Sequence, residues 1–261
     1  MAYSVIAHEI ARSTNDNNVT TPAIDTSGAD FIVLAAAYLQ GVTMTISDSK
    51  SNTWTPRTQV ALTGDSAIRL YYVQGGTVGT GHTFTASGTG SFPSLAALAL
   101  SGSVASPFDL ENGAQNASAS SIQPGSITPS ENNEILITAI SLNNNFVTAS
   151  INGGFTISDQ ANATANAYGL AMAYLIQTTA AAANPTWSWT NTIGVATTQA
   201  SFKDTAGAAT GQPTTKRHGG TQFMGVGLGR TGFAGGGYWG RSTAGRVVVP
   251  RWLSDQERQA A

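Results

Sequence analysis

The strongest constraint on this chain is an internal repeat. FIVLAAAYL, starting at Phe31, is matched by EILITAISL, starting at Glu134. In the same order NTWTPRTQ from Asn52 is matched by GGFTISDQ from Gly153, and AIRLYYVQ from Ala67 by LAMAYLIQ from Leu170. HTFTAS from His82 then matches PTWSWT from Pro185, and SLAALALSG from Ser94 matches VATTQASFK from Val195. Five weak matches in one order, at a nearly constant spacing of about a hundred residues, define two related halves of one architecture. The copies run over about 31–102 and 134–203. PSENNE, from Pro129 to Glu134, is too short and too ordinary for a domain linker, so one body is expected rather than two separate sandwiches.

The repeated segments read as strands. In AIRLYYVQ a period of two puts Ile68, Leu70 and Tyr72 on one face and Arg69 and Tyr71 on the other. VTMTIS places Val42, Met44 and Ile46 together, and HTFTAS and TWSWTN alternate in the same way. Turn signals such as QGG, SGTGS and NGG punctuate these runs, and no long stretch keeps a helical period. The pattern predicts an all-β, jelly-roll-like antiparallel β-sandwich built from two halves of about 100 residues, with an extended C-terminal arm.

Charge separates body from arm. Only 10% of the 261 residues are charged, against the usual quarter or so. Residues 1–204 carry five Lys or Arg against twelve Asp or Glu, whereas 205–261 carry seven against two. The same arm holds 13 of the 29 glycines, and the small residues of KDTAGAATGQPTT, starting at Lys203, read as a linker. The body is therefore placed at 1–204 and a basic, glycine-rich docking arm at 205–261. The chain has no cysteine, which excludes disulfides and thiolate metal sites. MAYSVIAHEIARS lacks the basic and apolar parts of a signal peptide, so synthesis in the cytoplasm is expected. The longest apolar run, FIVLAAAYL, is half a membrane span, so no membrane partner is expected.

Residues that could carry chemistry are few. His8, His82 and His218 show no metal-ligand spacing, and His82 reads as a solvated or capping residue beside a glycine turn. Glu131 and Glu134 in ENNE read as a polar loop rather than a catalytic pair. Asp48, Ser51 and Asn52 could offer oxygens to calcium, but SDSKSN has too few carboxylates and reads as a turn. In the arm, GLGRTG from Gly227 is a literal dinucleotide fingerprint and GGGYWGRS from Gly235 is a near P-loop. Neither has the strand before it and the helix after it that phosphate binding needs. No catalytic residue, cofactor or metal is therefore assigned.

Two sets of residues remain as binding candidates. The arm interleaves Arg217, Arg230, Arg241, Arg246 and Arg251 with Phe223, Phe233, Tyr238, Trp239 and Trp252, and Val248 centres the strand-like RVVVPRW. That apolar stretch suits docking by strand addition better than nucleic acid, and SDQE after it reads as a helix cap. On the body, Trp54, Tyr71, Trp187 and Trp189 are candidates for glycan contact, since jelly rolls bind sugars through exposed aromatic faces.

The run SDSKSNTWTP, AIRLYYVQGG, HTFTAS and LALSG resembles β-sandwich modules of structural proteins in tailed bacteriophages and of some bacterial surface proteins. The tail, KRHGGTQFMGVGLGR through to RW, resembles the C-terminal arms that end such phage proteins. The resemblance spans about 25–261 and implies a homo-oligomeric virion component: a capsid decoration, collar or tail-fibre subunit. Its implied partners are other virion proteins and copies of itself. A carbohydrate- or receptor-binding module engaged in host attachment, with a host surface glycan as partner, is the alternative.

Overall fold

The computed structural model of the chain describes residues 3–143 and 148–205, and among these every regular element is a β-strand. The first half supplies β1 (Ser4–Arg12), β2 (Asn18–Thr20), β3 (Phe31–Leu39), β4 (Thr45–Asp48), β5 (Thr55–Pro56), β6 (Val60–Ala61), β7 (Ser66–Gln74), β8 (Phe84–Ser87) and β9 (Ser94–Ser101). The second supplies β10 (Ser103–Ile122), β11 (Glu134–Leu142), β12 (Ser150–Ile151), β13 (Thr156–Ala161), β14 (Gly169–Gln177) and β15 (Trp187–Asp204).

Each half builds one large antiparallel sheet, and the two sheets have the same strand order. The first runs β1-β9-β3-β7-β5, with β6 also on β7; the second runs β10-β15-β11-β14-β13, with β12 also on β15. The first half adds a three-stranded sheet, β2-β8-β4. In the second half the long β10 and β15 run on past the large sheet. There Ile122 pairs with Trp187, and Trp187 with Ile151 on β12, as β2 and β4 flank β8. The expected antiparallel sandwich in two related halves is thus the observed architecture. Strands are not interleaved between its sheets as in a strict jelly roll, because each large sheet is drawn from one half only.

Three cores explain the composition of the strands. Along β3, Phe31, Val33, Ala35 and Ala37 join Ile135, Ile137 and Ala139 of β11 in a core shared by the two large sheets. The alternate residues Ile32, Leu34, Ala36 and Tyr38 face the other way, onto Phe84, Ala86 and Val19 of the small sheet. Leu136, Ile140 and Leu142 likewise face Trp187, Trp189 and Ile122. The central strands are therefore buried on both faces, and each buried Leu, Ile or Phe contributes roughly 1.5–3 kcal/mol. The two halves, each with an outer core of its own, are joined face to face through the shared core.

The register corrects the alignment of the copies. Phe31 lies between Leu100 and Gln74, and Ile135 lies in the same way between Phe202 and Ile176. Phe31 and Ile135 both face the shared core, so Phe31 corresponds to Ile135 and not to Glu134, and the register then shifts β7 and β9 by one residue as well. A one-residue slip exchanges the two faces of a strand. The crossing between halves also lies elsewhere than PSENNE. It is made at Gly102, whose φ of 108° suits glycine, directly between β9 and β10.

Side chains tie the halves along both seams. On one, His8 Nδ1 lies 2.9 Å from Asp159 Oδ2, Arg12 donates to the Asn162 carbonyl (3.2 Å), and Asn166 donates to Asp16. On the other, Arg57 grips Glu111 through Nε (3.2 Å) and Nη2 (2.9 Å) and lies 3.3 Å above the Phe108 ring. Glycine is required there, because a Cβ on Gly113 would run into the Val60 side chain and the Thr197 carbonyl.

Candidate functional site

The four body aromatics expected to touch glycan are committed elsewhere. Trp187 is fully buried, and Trp189 and Tyr71 nearly so. The Trp187 indole N–H donates to Thr138 Oγ1 (3.1 Å), whose hydroxyl donates to the Thr198 carbonyl (2.9 Å). Trp54 is half-buried, gives its N–H to Asp48 Oδ2 (2.8 Å) and sets its ring edge-on to Phe84. A sugar platform needs an exposed ring face, and these rings fill the outer cores instead. The docking residues Arg217 to Trp252 lie outside the described residues, as do His218 and both glycine motifs of the arm.

His82 is not solvated but fully buried. Its Nδ1 pairs with Thr26 Oγ1 (2.9 Å), its Nε2 stands 3.3 Å from Asp48 Oδ1, and its ring lies 4.3 Å from that of Phe84. Asp48 also accepts from the backbone N–H of Lys50 (2.7 Å) and from Asn52, which pins the SDSKSN turn. Burial lowers the His82 pKa, with Lys50 adding to that effect and the Asp48 carboxylate opposing it. The native ring is therefore protonated less readily than the unfolded one, which titrates near pH 6.5. Below that pH the unfolded chain binds the extra proton, so stability is full above it and declines as pH falls towards the native pKa. The expected slope is up to about 1.4 kcal/mol per pH unit. Urea unfolding at pH 7.5 and 5.5 measures it, and His82→Gln should abolish that share; an equal loss in the variant places the slope elsewhere.

Glu134 is likewise not a loop residue. It opens β11 fully buried, with Oε1 accepting from the Glu131 N–H (3.0 Å). Asp109 accepts from the Ser130 N–H and hydroxyl, both 2.8 Å, and Lys203 lies 3.5 Å from both Asp109 and Glu131. Burial pushes the Glu134 pKa up, and the nearby Asp109 carboxylate adds to this. Burial acts on Asp109 in the same direction, but the Ser130 hydrogen bonds and the Lys203 charge hold it below its usual value. Two carboxyls side by side with their pKa values pushed apart could split acid and base roles. Here they stand with Tyr3, whose hydroxyl donates to the Lys203 carbonyl (2.7 Å), at the end of the shared core. Among the described residues, no three His, Asp or Glu side chains converge as metal ligands.

Two surface clefts flank the strand edge at Gln59–Ala61. One, of 480 Å³, is lined by Thr58, Val60, Glu111, Asn112 and Thr198 across the seam of the halves. The other, of 390 Å³, lies on the first half between Arg69, Tyr38 and Gln59 on one side and the loop Gln40 to Met44 on the other. Alternation along AIRLYYVQ places Arg69 opposite the apolar face, as found, but gives no sign that a loop and an edge strand enclose it. Comparison with known proteins adds no relative: no family model, no curated protein and no solved structure matches the chain.

Proposed function

We propose that the chain is a non-enzymatic structural component of a bacteriophage virion, with the two-half sandwich facing outward and residues 205–261 tying it to neighbouring subunits. The observation that carries this reading is the division of charge. The body holds twelve acidic residues against five basic ones, and the arm seven basic against two acidic. Opposite charge on neighbouring copies would steer the arm and fix its register, while its aromatic residues supply the contact area. The body suits a rigid building block, since ion pairs and hydrogen bonds fasten its halves along both seams.

The test is a chain ended after Thr205. It is expected to keep the β-sheet circular dichroism and cooperative unfolding of the full chain, yet to be missing from particles purified from the bacterial host. Mass spectrometry of those particles should find the full chain at high copy number. Normal incorporation of the shortened chain overturns the role of the arm, and absence of the full chain from particles overturns the virion reading.

A further inference from the structure

We infer that the cleft around Arg69 binds a carboxylate, as carried by an acidic sugar. This goes beyond the proposed assembly role and does not depend on it. The guanidinium sits half-buried on β7, on the outer face of the first large sheet. Its Nε donates to the Arg57 carbonyl (2.6 Å), and its plane is carried 5.6 Å from the Tyr71 ring centroid. One edge of the fork is thereby fixed, the Tyr38 and Tyr71 hydroxyls lie beside the guanidinium as further partners, and its remaining N–H groups are the ones suited to a planar, two-oxygen anion. Among the described residues no carboxylate pairs with Arg69, whereas Arg57 pairs with Glu111, and Lys203 with Asp109 and Glu131.

The rest of the cleft fits the body of a sugar. The Gln40 carbonyl oxygen is taken by the Gly64 N–H (3.0 Å), so its amide N–H donors remain for a ligand. Gln59 is exposed at the rim, and Tyr38 brings a phenol to the wall. Met44, Val42 and Ala61 add apolar surface against which the C–H face of a ring can lie. The volume of 390 Å³ lies within the range of small-ligand pockets.

The internal repeat supplies an independent argument. By register Arg69 corresponds to Ala171, Tyr71 to Ala173 and Tyr38 to Leu142. All three counterparts are fully buried in the apolar core of the second half. Tyr38 and Tyr71 are themselves buried in the outer core of the first half, so the contrast rests on Arg69: a buried alanine stands there in one copy and a half-buried cation beside an open cleft in the other. Packing alone does not call for that exchange.

The experiment titrates the full chain with D-glucuronate, D-glucose and acetate, followed by protein NMR. Glucuronate is expected to shift resonances around Arg69 and Gln59, acetate to compete with it more weakly, and glucose to leave them unmoved. Arg69→Gln should weaken glucuronate binding about tenfold or more. Should Arg69→Gln fail to fold, the exposed Gln59→Ala replaces it, with a loss of about threefold expected. No shift with glucuronate, equal shifts with glucose, or unchanged affinity in the folded variant overturns the inference.

Discussion

Phe202→Ala is expected to destabilise the whole body by about 3–5 kcal/mol, and to do so in a single transition. Phe202 is fully buried in the shared core, where its ring lies 5.0 Å from Phe31, 5.5 Å from Tyr72 and 6.2 Å from Phe108. Two of those three partners belong to the other half, so the cavity opens beneath both large sheets. Each half also has a private core, which raises the alternative that the halves unfold separately. Native-state hydrogen exchange distinguishes the two cases. If folding is shared, amides of β3 and β11 lose protection by the same free energy in Phe202→Ala. If β11, β14 and β15 lose protection while β3, β7 and β9 keep theirs, the halves are separate folding units and the shared core is only a docking surface.

The legibility of this fold in the sequence followed its alternation. In AIRLYYVQ the alternation separates Ile68, Leu70 and Tyr72 from Arg69 and Tyr71, and those are the faces observed. FIVLAAAYL and EILITAISL are buried on both sides, so a match between them can slide by one residue without any letter objecting. Only the face turned to the shared core, Phe31 in one copy and Ile135 in the other, fixes the true correspondence. The first strand of each copy escaped notice for another reason. β1 and β10 are sheet edges where only some side chains, His8 and Glu111 among them, meet the opposite half, so each carries the chemistry of a different neighbour and the two have little similarity left. His82, Glu134 and Trp187 were misplaced because a polar or amphipathic residue reads as exposed until its buried partner is known. Thr26 and Asp48, the Glu131 N–H and Thr138 are those partners, and all except Glu131 are remote in sequence. The Arg69 cleft needs a loop, a sheet face and an edge strand together, a combination no local pattern encodes.

Reversing the charge at the second seam is expected to be the other large effect. Register makes the two seams equivalent. His8 lies opposite Leu98 as Glu111 lies opposite Ala200, and Arg57 bonds to Leu70 where Asp159 faces Met172. At one seam the basic residue is on the first strand of a half and the acidic one on the partner edge; at the other the two are exchanged. Pairing two copies of the first half would set His8 against Arg57, and pairing two copies of the second would set Glu111 against Asp159. Only unlike halves give attraction at both seams, so repulsion in the wrong pairings can supply specificity. Arg57 and Glu111 are both mostly buried, with side-chain exposures of 18% and 21%, so Glu111→Arg should cost about 2–4 kcal/mol. Arg57→Glu alone should cost a similar amount. The double exchange should recover at least half of the combined loss, although the Thr58 hydrogen bonds and the stacking on Phe108 are not restored. Urea unfolding of the four proteins gives the coupling directly. Losses that simply add in the double variant would mean that the two residues act separately, and the exchanged signs would then have no part in pairing the halves.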